Sequence, residues 1–235
     1  MYIKKEYRFR DAVEVEEYHD ARHRHPGEPR KERRKATPED VARINQRNKE
    51  KRCRHRLLEY FDEGDAFTTL TYARDQRPAD MAACRKDFRK FIAKLKKIFT
   101  KAGRELRWIR NIEVGSRGGW HIHLVIPDIP GINGILQKIW THGKAVTQAL
   151  YRRGGFRKLA AYLTKTPATH PGIVEASYYT SRNMPLKEPK KKIMHRKTWT
   201  HPRIRPGWAI DPDTYREGIN PITGYPYRQY TILRC

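Results

Sequence analysis

The sequence predicts an α+β fold, an antiparallel sheet with helices packed on one face in a split βαβ arrangement, and three observations predict it. Runs rich in β-branched and aromatic residues recur at Ala66 to Tyr72, Arg107 to Val114, Trp120 to Ile126 and Lys144 to Tyr151. Between the first two, Met81, Cys84, Phe88, Phe91, Ile92, Leu95, Ile98 and Phe99 recur at spacings of three and four, the stripe of an amphipathic helix over about 79–101. Gly115-Ser116-Arg117-Gly118-Gly119 then separates two of the runs by a loop short enough for a β-hairpin. Further helices are expected over about 131–140 and, after Gly154-Gly155, over about 156–166, where Pro167 ends the run. The resulting order is β-α-β-β-α-β-α, which suits a sheet with its helices on one side.

Charge narrows the partners. The chain has 235 residues with 51 Lys+Arg against 26 Asp+Glu, a formal net charge of +25. Such an excess attracts polyanions and disfavours cationic partners. No stretch approaches the ~18 consecutive apolar residues of a spanning helix, and the first residues carry no apolar signal core, so a cytoplasmic protein with no membrane partner is expected. Cys53, Cys84 and Cys235 form no C-x-x-C pair and are expected to be reduced thiols. Three regions follow from composition. Residues 1–61 read as a basic N-terminal arm, with a helix over 38–60 that Thr37 caps and Pro38 begins. Residues 62–182 hold the predicted sheet. Residues 183–235 read as a basic, Pro-rich extension, largely loop, to which Tyr225 to Leu233 could add a strand.

The residues that carry chemistry lie in the central region. In His121-Ile122-His123-Leu124-Val125-Ile126 the strand alternation puts Ile122, Leu124 and Ile126 on the helix-covered face and both histidines on the other. If Gly115 to Gly119 is a five-residue loop, Glu113 stands opposite His121 and shares its face. Two neutral imidazoles and a carboxylate suit a divalent cation and leave positions open for phosphate and water. A His-x-His strand also occurs as an ordinary polar sheet face; the opposed Glu113 and the basic context favour the metal. On the following helix Phe156, Leu159, Ala160 and Leu163 form the buried stripe and Tyr162 lies off it, with Lys165 three residues on. A phenol there is either a surface tyrosine or a nucleophile that needs help to ionise.

These segments resemble the three ordered motifs of HUH endonucleases, in the version found in rolling-circle replication-associated proteins of small phages and mobile elements. The motif segments are Phe67-Thr68-Thr69-Leu70-Thr71-Tyr72, His121-Ile122-His123 and Tyr162-Leu163-Thr164-Lys165, with similarity continuing through Ser181-Arg182-Asn183 into the tail. The resemblance implies a ferredoxin-like nuclease domain, Mg2+ or Mn2+ held by His121, His123 and a third polar ligand, and Tyr162 as the nucleophile that forms a 5′-phosphotyrosine. Glu113 as third ligand comes from the hairpin pairing. Lys165 is expected to stabilise charge on the phenolate or phosphate, and Arg117, Lys158 and Arg182 to contact DNA. The expected substrate is single-stranded DNA at a replication origin, with host replication machinery a further partner. With one tyrosine on that helix, Tyr178 and Tyr179 are the substitutes for a second strand transfer, although a strand role suits them. No Gly-x-x-x-x-Gly-Lys-Ser/Thr loop is present, so no fused helicase is expected. Two rivals stand beside this reading: a transposase or mobilisation relaxase with the same site, and a non-catalytic RNA- or single-strand-binding module on a similar sheet.

Overall fold

The computed structural model describes residues 1–23, 32–115, 118–151, 153–165 and 178–235. In chain order the elements are β1 (Tyr2–Arg8), β2 (Ala12–Tyr18), α1 (Pro38–Tyr60), β3 (Ala66–Tyr72), α2 (Met81–Lys101), β4 (Ile109–Val114), β5 (Trp120–Ile126), α3 (Ile132–Ile139), β6 (Gly143–Ala149), α4 (Arg157–Thr164), β7 (Tyr178–Thr180), β8 (Lys190–Met194), β9 (Trp208–Ile219) and β10 (Pro226–Arg234). They form two compact units, one of Tyr60–Pro185 and one of Met1–Glu59 with Leu186–Cys235. The protein is α+β, with two antiparallel five-stranded sheets.

The central unit is built on the sheet β6-β3-β5-β4-β7. Its period-two pattern is plain in β3, where Ala66, Leu70 and Tyr72 are buried in the core and Phe67, Thr69 and Thr71 face the other way. Ile122, Leu124 and Ile126 of β5 continue the core face, and α2 covers it with Cys84, Phe88, Phe91, Leu95 and Phe99. Asp80 caps α2, its side chain accepting from the Ala83 N–H at 2.7 Å. Helix α3 adds Ile132 and Leu136, with Trp140 just beyond it. Where β6 meets β3, the backbones approach so closely that a Cβ at Gly143 (φ +157) would stand 2.1 Å from the Thr71 carbonyl oxygen, so only glycine fits. While α2 and α3 share the aliphatic face, α4 approaches the opposite one, where its Tyr162 reaches β5.

The chain termini depart from the arm and loop that composition suggests. Strands β8-β1-β2-β10-β9 form the second sheet, so the first 18 residues and the last 46 build one structure. The tail expected as loop supplies three strands, of which β10 includes the Tyr225 to Leu233 segment's residues 226–233. The expected helix over 38–60 is present, and Thr37 caps it: the Asp40 N–H donates to Thr37 Oγ1 at 3.2 Å and Asp40 accepts from the Thr37 N–H at 3.1 Å. That helix is only half solvated, since Cys53, Leu57 and Leu58 are buried along it. The cysteines are free thiols, Cys53 and Cys84 buried and Cys235 exposed. Among the described residues no helix is long and apolar enough to cross a membrane.

The charges of this unit are organised around Glu14, which is buried on β2. Lys51 Nζ lies 3.2 Å from its carboxylate, His55 Nε2 3.3 Å and Arg54 Nη1 3.6 Å, while Arg54 also donates to Thr231 Oγ1 of β10 at 3.0 Å. Burial pushes the Glu14 carboxyl up, but the hydrogen bond and charge of His55 and the charges of Lys51 and Arg54 outweigh it and hold the group at about 2. Because the folded value is depressed, the stabilisation is complete above the ordinary value of 4.5 and is lost as pH falls from there toward about 2. The loss should be on the order of 3 kcal/mol. Urea unfolding followed by circular dichroism between pH 7 and pH 2.5 checks it. Glu14→Gln should be less stable at pH 7 and show a shallower acid slope; an unchanged slope would show that Glu14 is not the group concerned.

Candidate active site

The site grows from strand pairing. In β4 and β5 Glu113 stands opposite His121 and Val114 opposite Trp120, the register expected of the five-residue loop. On the other side of β5, Thr69 pairs with His123 and Thr71 with His121. Glu113, His121, His123, Thr69 and Thr71 therefore share one face. The deeper part of that face is closed by Ile109 and Val125, both fully buried, and the site lies where it opens.

Each imidazole is oriented by a threonine. His123 Nδ1 lies 3.2 Å from Thr69 Oγ1 and His121 Nδ1 3.3 Å from Thr71 Oγ1. The rings are nearly parallel, with centroids 6.4 Å apart, and Phe67 stacks on His123 at 6.0 Å. Anchoring Nδ1 leaves Nε2 of each ring for chemistry. At His123, Nε2 lies 2.8 Å from the Tyr162 hydroxyl and 3.2 Å from Glu113 Oε2. With the ring proton on Nδ1, Thr69 accepts from it and Tyr162 donates to Nε2.

Tyr162 arrives on α4 as its pattern predicts. Ala160 and Leu163 are buried, Phe156 is buried just before the helix, and Tyr162 is 40% exposed. Gly154, Gly155 and Phe156 all have positive φ (61°, 53° and 60°), a left-handed run that sets the direction of the helix. Helix α4 ends at Thr164, so Lys165 is its C-terminal cap in extended conformation rather than a further helical residue. Lys165 is exposed, and its bond to Tyr162 is one of backbone, from the Lys165 N–H to the Tyr162 carbonyl at 3.3 Å. The structure thus does not bring its ammonium to the phenol, because the helical spacing that would do so stops one residue short.

Electrostatics set the protonation states. Burial pushes the His123 imidazole below its ordinary value; Glu113 pulls the other way by charge and hydrogen bond, His121 adds to the lowering, and the balance is a lowered value. His123 is therefore neutral at pH 7 and able to ligate or accept a proton. Burial, and then the Glu113 charge, push the Tyr162 phenol up. In this arrangement the phenol is a hydrogen-bond donor, not a phenolate.

The donor set of two imidazoles and a carboxylate suits a divalent cation. Space suits it as well: a Cβ at Gly119 would stand 3.3 Å from His121 Nε2 and one at Gly115 3.8 Å, so the glycines of the hairpin keep that nitrogen accessible. Among the described residues no three His, Cys, Asp or Glu side chains are already gathered around one ligating point. The reason is visible at His123, whose Nε2 is engaged by Tyr162 and Glu113.

Of the expected DNA contacts, Arg117 lies outside the described residues. Lys158 on α4 and Arg182 after β7 are exposed. Arg77, which the sequence does not single out, stands beside the hairpin loop: its Nη1 would be 3.7 Å from a Cβ at Gly118, and its Nη2 4.0 Å from one at Gly119. It lies in a polar loop 44 residues upstream of His121, and only the folded sheet brings it there. Trp108 and Trp120 pack against the core. Tyr178 and Tyr179 are on β7, and the pairing of Tyr178 with Asn111, itself opposite His123, puts Tyr178 on the site's face.

An α+β unit that sets a His-x-His strand beside a helix-borne tyrosine has the layout of an HUH-type fold. Residues 65–167 match a family model of replication-associated proteins, the family that includes the ORF2 type, and the match spans every one of the three motifs. The resemblance read from those motifs thus holds for a replication-associated protein of the Rep type, and the match points to DNA replication as the process concerned and to DNA as the partner. No curated protein and no solved structure matches the chain.

Because Glu113 raises both neighbouring groups, Glu113→Gln should lower two titrations at once. His123 loses a stabilising negative charge and Tyr162 an opposing one. NMR titration of the His123 Cε1–H and Tyr162 Cζ signals in metal-free protein checks this. Movement of only one would mean that Glu113 does not bridge them.

Proposed function

We propose that the central unit is an HUH-type nuclease that nicks and rejoins single-stranded DNA to initiate rolling-circle replication. The observation that carries this reading is the 2.8 Å contact between the Tyr162 hydroxyl and Nε2 of His123, on the strand that also presents His121. A binding module has no use for a phenol held on a neutral imidazole at an open sheet face. The family match favours replication over the transposase and relaxase readings.

His121, His123 and Glu113 would hold a divalent cation, Mg2+ or Mn2+, which when bound polarises a non-bridging oxygen of the scissile phosphate. A neutral imidazole nitrogen has one lone pair, so His123 Nε2 cannot serve in ligation and accept the Tyr162 proton together. Once that lone pair is committed, the phenol is released toward the substrate, and Glu113, its charge compensated, no longer opposes phenolate formation. The Tyr162 oxygen then attacks phosphorus and the bond to the 3′-oxygen breaks. The products are a 5′-phosphotyrosine and a 3′-hydroxyl. The same exchange in reverse, by a 3′-hydroxyl on the phosphotyrosine, rejoins the strand and restores the phenol, with no nucleotide consumed. Exposed Lys158 and Arg182 would bear on backbone phosphates.

The test is denaturing electrophoresis of the full chain incubated with Mn2+ and a 3′-labelled origin oligonucleotide, where a 5′-phosphotyrosine keeps label on the protein. Wild type should form the adduct and Tyr162→Phe should not, while the double variant His121→Ala/His123→Ala should lose at least about 100-fold in rate, about 2.7 kcal/mol. Calorimetry with Mn2+ should show Tyr162→Phe binding at least as tightly as wild type, since the competing hydrogen bond is gone. Persistence of the adduct in Tyr162→Phe would overturn the assignment of the nucleophile and direct attention to Tyr178.

A further inference from the structure

The unit formed by the two chain termini carries a cavity of about 380 Å3 on the sheet face opposite Glu14, bordered by strand residues and by the segment 194–208. Strand register puts Tyr2, Lys4, Glu6 and Arg8 on this face, together with Val13, Val15 and Glu17 across the pairing. Six Lys or Arg side chains line it against two carboxylates, Glu6 and Glu17. Both carboxylates are already committed. Glu6 pairs with Lys4 at 2.9 Å and with Arg8 at 2.7 Å. Glu17 accepts from Arg228 Nε at 2.8 Å. Arg228 is itself buried, donates to the Thr200 carbonyl at 2.8 Å, and lies near the rings of Trp199 and Tyr230 at 5.6 and 5.4 Å. It therefore ties the 194–208 segment to the sheet.

What remains is a surplus of positive charge. Arg196, Arg203 and Arg205 line the cavity, are exposed, and have no carboxylate partner among the described residues. Arg203 and Arg205 sit between Pro202 and Pro206, whose rings restrict the backbone that carries them. Trp208 lines the same cavity and is only partly buried, with the Arg205 guanidinium 5.5 Å from its ring. Cations without carboxylate partners beside an accessible indole, in a concavity of nucleotide size, match the chemistry of single-strand binding, in which phosphates meet a basic groove and bases stack on aromatic faces. A duplex is too wide to enter such a cavity.

We propose that this cavity is a second single-stranded DNA site, in which Arg196, Arg203 and Arg205 bind backbone phosphates and Trp208 stacks a base. The inference rests on single-stranded DNA being the substrate, but on none of the nicking chemistry. It gives the terminal unit a function of its own, that of holding unpaired strand, where the sequence suggests only a basic arm and a loop.

The experiment uses the full chain and a fluorescein-labelled dT20 oligonucleotide, with anisotropy measured from about 50 to 300 mM salt. Arg196→Ala/Arg203→Ala should weaken binding roughly tenfold and reduce the slope of log K against log[salt] by about 1.4, two phosphates at about 0.7 each. Arg196→Lys/Arg203→Lys should keep the slope. Trp208→Ala should weaken binding about fivefold or more and leave the slope alone, because stacking releases no counterions. Thermal melts by circular dichroism verify that the variants are folded, as the exposure of both arginines leads one to expect. Wild-type affinity and slope in the double alanine variant would overturn the proposal. So would an equal loss on a duplex 20-mer, or tighter wild-type binding of the matching RNA. Since dT20 reads binding alone, failure to nick any oligonucleotide would refute the nuclease reading and leave this result standing.

Discussion

Strand register is the constraint on which the site depends. Side chains alternate along a strand, so the pairings Glu113 with His121 and Thr69 with His123 decide that five polar groups meet on one face. A slip of one residue in β5 would bury both histidines among α2 and α3 and turn Ile122 and Leu124 to the open side. The register is therefore held by the core, through Leu70, Ile112, Ile122 and Leu124, and the chemistry inherits it. The backbone contact of Gly143 with Thr71 serves the same end, since β6 can pair so closely with β3 only where no Cβ intervenes. Strand β3 carries the two threonines that orient the imidazoles.

The tyrosine reaches the site by a different device. A phenylalanine in left-handed conformation costs about 1 to 2 kcal/mol relative to ordinary backbone, and Phe156 bears that cost with its side chain buried. Burying a Phe side chain is worth about 1.5 to 3 kcal/mol, enough to hold the turn. The direction of α4, and with it the 2.8 Å approach of Tyr162 to His123, follows from this exchange of backbone strain for packing.

The central unit is legible in the sequence because its signals are local. The alternation of His121 to Ile126, the three-four stripe of α2 and the Gly-rich loop are each short, contiguous segments, and the loop length alone gives the Glu113–His121 register. The terminal sheet is not legible, for a physical reason. Its strands β2 and β10 pair residues from opposite ends of the chain, such as Val15 with Tyr230, and no local pattern announces such a partner. Lys4-Lys5-Glu6 and Glu14-Val15-Glu16-Glu17 look solvated, yet cross-strand charges and a basic helix neutralise them once folded. Lys165 shows the opposite failure: the helical spacing that would carry its side chain to the phenol runs one residue past the point where the helix stops. Arg77 escapes a sequence reading because nearness to the hairpin is a property of the sheet and not of any motif.

The same carboxylate that suits a cation also holds the nucleophile back. Glu113 raises the Tyr162 phenol and supports His123 against its desolvation, so the unligated arrangement keeps the tyrosine as a neutral donor on a neutral ring. On the proposed reading, attack is then conditional on the charge of the site. Compensating Glu113 and occupying the His123 lone pair remove both restraints together, whereas either alone leaves one in place. A covalent strand transferase has reason for this arrangement, since a phenolate present without substrate and cofactor would be a nucleophile toward any phosphodiester it met. Conditional activation confines the phenolate to the assembled complex, and it requires only that one carboxylate lie between the metal-binding strand and the tyrosine, which the hairpin register secures.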